Sequence, residues 1–297
     1  MTFTAPGMLE PHVLEQVPLV CPICRADSIV SPGMVLKRSA KHSWGCTAGH
    51  HFDQAKQGYL NLLPAQLKRS KDPGDSKAMV QSRRRFLEAG HYQPIAEQLS
   101  KLLSQQTTAA ARVLDAGCGE GYYLRALQNH LNANTQLLGN DISKWAVQAA
   151  APWHKQGHYV VASNARLPYL DASLDAVICA FGFVSAAEFK RVLVPGGLLI
   201  TIDPLADHLL ALRELLYAQT QQKTDSHQEL AGFKHQHADD LAFSFELEQP
   251  ALQDLVAMTP HAYRAPAEGK ARASATTQLT LQAAVRFNIW QTQEEQL

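Results

Sequence analysis

The sequence predicts an α/β fold in which a mostly parallel sheet carries helices on both faces, preceded by a small module that a metal ion stabilises. Two observations predict it. From Ala111 onward, short apolar runs alternate with amphipathic segments of helical length, as in sheets built from strand–helix–strand crossovers. Before that, residues 18–55 lack long apolar runs but hold three of the five cysteines, so something other than a hydrophobic core must stabilise them.

The composition is that of a folded chain without overall charge. At 297 residues and 46% hydrophobic content, it can form one large domain and a small appendage. Lys+Arg and Asp+Glu are equal at 27 each, so nucleic-acid binding would require a local basic patch. No run reaches the roughly 18 apolar residues of a membrane span, and the N-terminus lacks a secretory signal pattern. We therefore expect a cytoplasmic protein without membrane contact, whose clustered cysteines bind metal instead of forming disulfides.

Four segments are expected along the chain. They are a flexible extension over 1–17, a cysteine-rich module over 18–55, a basic linker with helices over 56–106, and the α/β domain over 107–297. Ser76 is the expected N-cap of a helix over 77–89 that ends at Gly90, and a second helix is expected over 94–105. In the α/β domain the expected elements lie at 112–115, 122–130, 135–139, 144–151, 158–162, 174–180, 185–193 and 197–202, followed by a helix over 205–217 and one or two strands over 279–290.

The strongest chemical signal is a glycine-rich turn between the first strand of this domain and the helix after it. The turn is Asp115-Ala-Gly117-Cys118-Gly119-Glu120-Gly121. Glycines let the backbone approach a ligand closely, and N–H groups at the start of a helix can bind a carboxylate. A dinucleotide site has GxGxxG, whereas the third glycine here comes one residue earlier. The resulting DxGxGxG resembles motif I of class I S-adenosylmethionine-dependent methyltransferases, which have a Rossmann-like seven-stranded sheet.

Further features are typical of such a methyltransferase domain. Asp141 ends the second strand, where a carboxylate suits the two ribose hydroxyls of the adenosyl group. Asn164 and Ala165 lie in SNARLP at 163–168, which resembles the DAxxLP segment beside adenine, with Asn where Asp is commoner. An amide can both donate to and accept from a base edge. The LVPGG turn at 193–197 resembles the LKPGG turn of the same fold.

The cysteine-rich module has the spacing of a zinc ribbon. Cys21 and Cys24 form a CxxC pair, and Cys46 is followed by His50 and His51. Three thiolates and one imidazole would complete a tetrahedral Cys₃His site, and four protein ligands leave no position for an activated water, so the zinc would be structural. A redox CxxC is the alternative, disfavoured by Cys46 and the histidines. Spacing alone does not choose between His50 and His51.

Positive charge is concentrated in the linker. A solvated helix face is one interpretation, but three consecutive arginines cannot share one face, so some could point at phosphates. The candidate RNA contacts are Lys68, Arg69, Lys71, Arg83, Arg84 and Arg85.

The segment after the fourth strand bears on the methyl acceptor. Enzymes that methylate exocyclic amines usually have (N/D)PP(Y/F) there, whereas this chain has Ala180-Phe181-Gly-Phe183, which argues against adenine-N6 or cytosine-N4 methylation. Phe181 or Phe183 could stack on a flipped base, or both could be core aromatics. Asp203 could be a base, although capping a helix before Pro204 is the preferred interpretation. No catalytic base is identified.

Several longer blocks carry a more specific resemblance. They are CPIC at 21–24, GCTAGHHFD at 45–53, GYLNLLP at 58–64, KRSKDPGDS at 68–76, RRFLEAGHYQP at 84–94, DAGCGEGYY at 115–123 and MTP at 258–260. Together they resemble the RlmA (RrmA) family of guanine-N1 methyltransferases of large-subunit ribosomal RNA, over nearly the whole chain from Cys21. Residues 1–17 have no counterpart in that family.

The resemblance implies methyl transfer from S-adenosyl-L-methionine to N1 of a guanine in hairpin 35 of 23S rRNA, of the position-745 type. It implies that His50 is the fourth zinc ligand and that the ribbon and the basic segment bind RNA. It also implies cofactor contacts from Tyr92, His208 and the loop around Gly119 and Glu120. Because guanine N1 carries a proton at neutral pH, a base or a stabilised O6 anion is required before it can attack.

Two alternatives have a sequence basis. The catalytic domain alone resembles quinone and similar small-molecule methyltransferases, against which the zinc module and the basic segment count. A non-catalytic zinc-ribbon RNA-binding protein is disfavoured by the intact glycine loop and Asp141. A homodimer is compatible with an RNA substrate, because a two-fold pair could present two basic surfaces to one RNA.

Overall fold

The computed structural model describes residues 19–26, 34–40, 42–68, 70–107, 111–153, 158–219 and 229–293. The expected flexible extension over 1–17 lies outside these residues. Near the N-terminus, a three-stranded antiparallel sheet is formed by β1 (Lys37–Ala40), β2 (Ser43–Gly45) and β3 (His51–Asp53). This small sheet forms part of the cysteine-rich module.

The larger sheet has eight strands in the order β10-β11-β9-β8-β5-β6-β7-β4. Its strands are β4 (Leu60–Asn61), β5 (Arg112–Ala116), β6 (Gln136–Asp141), β7 (His158–Val161), β8 (Leu174–Ala180), β9 (Leu193–Pro204), β10 (Phe233–Glu248) and β11 (Gln278–Thr292). Strands β4 to β9 pair in parallel, and β11 pairs antiparallel with both β9 and β10. The Rossmann-like mixed sheet is confirmed, since strands β5 to β11 of the α/β domain supply seven strands, and one further strand joins them in the described residues. The extra strand, β4, is a two-residue edge strand from the linker, too short to leave a periodic signal.

The helices are α1 (Lys77–Glu88), α2 (Gln93–Gln106), α3 (Tyr122–Gln128), α4 (Lys144–Ala150), α5 (Ala186–Val192), α6 (Leu210–Leu216), α7 (Gln249–Met258), α8 (His261–Arg264) and α9 (Ala267–Ala275). Ser76 caps α1 as expected, since its Oγ accepts the N–H of Met79 at 3.3 Å. The helix expected over 205–217 is shorter. Strand β9 continues through Pro204, and Leu209, at φ 52°, precedes the first helical residue.

Only one of the two strands of the C-terminal hairpin was predicted from the sequence. A single strand, β11, occupies the predicted closing region, and its partner β10 was not predicted. Strand β10 is a 16-residue edge strand whose side chains are mostly exposed or half-buried, so it has no continuous apolar run. Helices α7 and α9 were also not predicted.

Apolar cores lie on both faces of the large sheet. Successive residues of β5, Val113 and Leu114, belong to opposite cores. Linker helices α1 and α2 pack into the first core, for example through Phe86. Trp44 of the N-terminal module packs into the second, with Tyr169. Among the described residues, no helix is both long and apolar enough to span a bilayer.

Candidate cofactor and metal sites

The glycine-rich loop follows β5 at the carboxyl end of the sheet. Gly117, Gly119 and Gly121 have φ values of 97°, 54° and 85°, a region that side-chain-bearing residues rarely adopt. A Cβ at Gly121 would lie 3.0 Å from the Tyr159 hydroxyl, so this glycine is also required by packing. A Cβ at Gly117 would meet nothing nearer than 3.9 Å, and one at Gly119 nothing nearer than 3.6 Å. The first two glycines therefore border open space, which a ligand can fill.

Two carboxylates flank this loop. Asp141 accepts the N–H of Gly119 at 3.0 Å through Oδ2 and the N–H of Ser143 at 2.7 Å through Oδ1. Asp115 is fully buried, and within the described residues neither of its carboxylate oxygens has a hydrogen-bond partner. Burial, and then the charge of Asp141, raises the pKa of Asp115 to about 7. An unpartnered buried carboxyl group, two residues before a glycine that borders open space, suits a nearby cationic ligand such as S-adenosylmethionine, which carries sulfonium and ammonium charges.

Asn164 joins three parts of the site. Its Nδ2 donates to the carbonyl of Ala116 at 3.1 Å and to that of Phe183 at 2.9 Å, and its Oδ1 accepts from Asn140 at 2.9 Å. Both amide protons are thus used within the protein. The side chain holds the ends of β5, β6 and β8 together, and a contact from it to adenine stays a prediction, as does the one from Ala165.

Tyr92 and His208 contact each other. The Tyr92 hydroxyl lies 3.3 Å from Nε2 of His208, and Nδ1 of His208 accepts the backbone N–H of Ala284 at 3.2 Å. Since Nδ1 is the acceptor, the ring proton is on Nε2 and points at Tyr92. The Tyr92 hydroxyl can then donate its own proton to a ligand. Burial raises the pKa of Tyr92, which keeps this proton in place at neutral pH.

Two aromatic side chains lie just after the end of β8. Phe181 lies with its ring centroid 6.1 Å from that of Tyr92 and 5.8 Å from that of His208, at a left-handed φ of 54°. Phe181 is 39% exposed and Phe183 is 68% exposed. They are therefore not core residues, and the core interpretation of these two residues was wrong.

Asp203 does not cap a helix. It lies within β9, and its Oδ2 accepts from the Thr201 hydroxyl at 2.7 Å and from Nδ2 of Asn288 at 3.1 Å. The preferred interpretation failed because β9 extends further than its apolar pattern indicated, so no helix begins there.

The metal site brings together Cys21, Cys24, Cys46 and His50, whose ligand atoms all lie within 4.8 Å of one another. Nδ1 of His50 is 3.6, 3.2 and 3.4 Å from the sulfurs of Cys21, Cys24 and Cys46, and the sulfurs of Cys24 and Cys46 are 3.6 Å apart. Tetrahedral zinc with Zn–S bonds of about 2.3 Å would place its sulfurs roughly 3.8 Å apart, so the donors fit that ion. His50 is the fourth ligand, and His51 is an exposed residue of β3.

The three consecutive arginines point in different directions, as expected. Arg83 donates to Asp75 at 2.7 Å and to the carbonyl of Met258 at 2.9 Å. Arg84 donates to Glu88 at 2.8 Å and lies over the Trp153 ring, 4.2 Å from its centroid. Arg85 forms a bidentate pair with Asp254. Each guanidinium therefore already has a partner within the protein.

The remaining candidate RNA contacts are lysines and one residue outside the described part. Lys68 and Lys71 line a shallow cleft together with Asp72 and Trp145. Arg69 lies outside the described residues. Lys144 lines the same cleft. It was not among the RNA contacts predicted from the sequence, because it belongs to a separate helix and not to the basic linker.

The loop 70–76 also contributes to the site, which sequence reasoning did not predict. The carbonyl of Asp75 accepts from the Ser143 hydroxyl at 2.6 Å, and a Cβ on Gly74 would lie 2.8 Å from Cγ2 of Ile142. The loop therefore lies against the residues that follow Asp141. The sequence feature that could have indicated this contact is the KRSKDPGDS block at 68–76, one of the blocks that resemble the RlmA family.

Comparisons with known proteins agree with both sites. The RlmA N-terminal zinc-ribbon family matches residues 19–71, and a methyltransferase-domain family matches residues 113–197. The "Putative 23S rRNA (guanine-N(1)-)-methyltransferase YxjB" of Bacillus subtilis is 32% identical over 257 residues, 83% of this chain and 87% of its own length. The 23S rRNA (guanine(748)-N(1))-methyltransferase of Streptomyces fradiae is 33% identical over 253 residues, 82% of this chain and 85% of its own length.

A small-molecule enzyme matches a shorter part. The demethylmenaquinone methyltransferase of Deinococcus radiodurans is 34% identical over 121 residues, which is 36% of this chain and half of its own length. The resemblance to quinone methyltransferases is thus confined to part of the chain, whereas the likeness to the rRNA enzymes covers more than four fifths of it. With its Cys₃His zinc ribbon and its S-adenosylmethionine-dependent methyltransferase domain, the chain belongs to the RlmA family of 23S rRNA guanine-N1 methyltransferases.

Proposed function

We propose that this protein transfers the methyl group of S-adenosyl-L-methionine to N1 of a guanine in hairpin 35 of 23S rRNA, at position 745. The observation that carries the proposal is the likeness to guanine-N1 methyltransferases over more than four fifths of the chain, together with the match of residues 19–71 to the RlmA N-terminal zinc-ribbon family. The choice of position 745 rests on the family blocks quoted above. A relative named for position 748 makes this choice the point to be tested.

The exposed rings after β8 suit a base taken out of its stack. When bound, the cofactor supplies an activated methyl group as a sulfonium, so the protein mainly has to place the acceptor nitrogen in line with it. Phe183 and Phe181 offer exposed rings at the end of β8, where a flipped guanine can stack. Phe181 keeps a strained backbone conformation there, as residues at functional sites often do.

A basic cleft near the end of β6 supports an RNA substrate. Lys68, Lys71 and Lys144 line it together with Trp145, and one acidic residue, Asp72, lies among them. The cleft borders Ile142, the residue after Asp141, so it adjoins the cofactor side of the sheet. We propose that these lysines bind backbone phosphates. To bind phosphates, Arg83, Arg84 and Arg85 would first have to break their ion pairs with carboxylates. We therefore assign these arginines a smaller part of the RNA binding than the lysines.

The test is the methylation state of hairpin 35 in cells. A strain that lacks this protein should lose N1-methylguanosine at position 745, and complementation should restore it, as measured by mass spectrometry of the isolated rRNA fragment. Loss at position 748 instead would overturn the position while keeping the rRNA activity. An unchanged profile across 23S rRNA would overturn the rRNA assignment and leave a small-molecule acceptor as the better hypothesis.

A further inference from the structure

We propose that Arg25 is a positioning residue that couples the zinc ribbon to the adenine-side loop of the cofactor site, so that the folded ribbon strengthens the binding of S-adenosylmethionine. The proposal concerns cofactor binding and does not depend on which RNA is methylated. It gives the ribbon a role besides the contact with RNA that the family resemblance implies.

Arg25 lies directly beside the metal ligands in the chain. It follows the ligand Cys24 in a short 3-10 turn, and its N–H donates to the carbonyl of Cys21 at 3.1 Å. Two zinc ligands therefore fix the backbone from which this side chain extends. Ordering of that turn by the metal should decide where the guanidinium lies.

The guanidinium reaches across to the methyltransferase domain. Its Nη1 donates to the carbonyl of Leu167, and its Nη2 donates to Oε1 of Glu188 in α5 at 2.6 Å. The side chains of Arg25 and Glu188 are only 10% and 15% exposed, so this ion pair is weakly screened by solvent. Burial alone would raise the pKa of Glu188, but Arg191 and Arg25 outweigh it and hold the pKa below its usual value.

Leu167 is held from both of its backbone groups. Its N–H donates to Oε2 of Glu188 at 2.7 Å, while its carbonyl accepts from Arg25 and, at 3.0 Å, from Arg191. The next residue is also tied to the ribbon, because the carbonyl of Pro168 accepts the N–H of Val20 at 2.9 Å. The ribbon thus fixes one end of the loop that runs from 163 to 168.

The other end of that loop contacts the start of the glycine loop and the segment after β8. Asn164 donates to the carbonyls of Ala116, at the start of the glycine loop, and of Phe183. Contacts therefore lead from Cys24 through Arg25 to Leu167, and the chain from Leu167 back to Asn164 is a tight turn, closed by the Arg166 N–H donating to the carbonyl of Ser163 at 2.9 Å. A loop that is ordered before the cofactor arrives costs less to order on binding, which increases affinity.

The decisive measurement is cofactor affinity in RNA-free, zinc-loaded protein. We expect Arg25→Ala to keep its zinc, as measured by elemental analysis, while its dissociation constant for S-adenosylmethionine rises about 5- to 50-fold in calorimetry. Arg25→Lys should recover part of the loss, because it keeps the charge but not the two-pronged contact. A matched control is Lys37→Ala, an exposed lysine of β1 in the same ribbon. A folded, zinc-loaded Arg25→Ala with wild-type affinity would overturn the proposal.

A second variant covers the case in which Arg25→Ala loses zinc or fails to fold. Glu188→Gln lies outside the ribbon and should weaken cofactor binding with the zinc retained. If both single variants are folded, the double variant should bind no more weakly than the worse single one, since both break the same link. Wild-type cofactor affinity in Glu188→Gln, or fully additive losses in the double variant, would contradict the coupling.

Discussion

The N–H of Gly119 donates to Oδ2 of Asp141 at 3.0 Å, across the gap between the glycine loop and the end of β6. Asp141 therefore does two things. It orders the loop directly, and its carboxylate oxygens retain lone pairs that can accept the ribose hydroxyls of the cofactor. The glycine loop and the ribose site are consequently one unit.

Replacing Asp141 with Ala should remove both functions. We expect the affinity for S-adenosylmethionine to fall about 10- to 100-fold, since hydrogen bonds to a charged group are each worth about 1.5–3 kcal/mol. Isothermal titration of the purified protein would measure it. Asp141→Asn, which keeps one acceptor oxygen, is the matched variant and should lose less. Binding within twofold of wild type in Asp141→Ala would contradict this role.

Asp115 should make the stability of the ligand-free protein depend on pH. Burial raises its pKa from an ordinary 3.8 to about 7, so the folded protein holds this proton more tightly than the unfolded chain does. Stability from this group is present at low pH and is lost as the pH rises from about 4 to 7. Denaturant unfolding should show wild type losing stability relative to Asp115→Asn over that range. Parallel curves for the two proteins would argue against a raised pKa.

The same titration should affect cofactor binding in the opposite direction. An ionised Asp115 attracts a cationic ligand, so affinity for S-adenosylmethionine should rise between pH 5.5 and 7.5. Asp115→Asn should bind more weakly and with a flatter pH profile. Equal slopes in the two proteins would mean that this carboxyl group does not meet the cofactor's positive charge.

The two adjacent histidines should differ sharply in their importance for the metal. His50→Ala removes one of four ligands, so the protein should lose its zinc to a chelator and RNA binding should weaken. His51→Ala changes an exposed neighbour and should retain one zinc per chain. Elemental analysis after dialysis against a chelator separates the two. Zinc retained in His50→Ala would require a different fourth ligand.

Gly74 should be sensitive to the smallest possible change. It has φ 81°, and an added Cβ would lie 2.8–2.9 Å from Ile142 and Ser143, so Gly74→Ala combines backbone strain with a clash. We expect it to lower the free energy of unfolding by about 1–3 kcal/mol. Gly58→Ala is the matched control, since Gly58 has φ 98° but nothing within 4 Å of the added carbon. Equal losses would show that the clash is relieved by movement of the loop.

Phe183 should matter for the RNA and not for the cofactor. Stacking of one base on an aromatic ring is worth about 1–3 kcal/mol, so Phe183→Ala should lower kcat/KM for a hairpin substrate by roughly 5- to 150-fold. Its affinity for S-adenosylmethionine should stay unchanged. Tyr263→Ala, at another exposed aromatic residue in α8, is the control. Unchanged methylation by Phe183→Ala would remove this residue from the base pocket.

Some elements of this fold could be predicted from the sequence, because the patterns that indicate them lie within a few neighbouring residues. Alternation of apolar runs indicated strands β5 to β9 and the helices between them, and the cap at Ser76 marked the start of α1. Strand β10 gave no such signal, because an edge strand with polar side chains on much of its surface is stabilised by pairing with β11, not by its own pattern. The expected segment boundaries after residues 55 and 106, and a homodimer, stay predictions.

The sequence by itself determined the chemistry of the two sites, because glycine spacing and ligand spacing are set within a few residues of chain. The family resemblance also pointed to His50, which the structure brings to the three cysteines. Only the tertiary structure decided how Arg83, Arg84 and Arg85 are paired and that Arg25 meets Glu188. Arg25 and Glu188 are 163 residues apart. No local pattern encodes such a contact, since it exists only after the ribbon packs against the second core of the sheet.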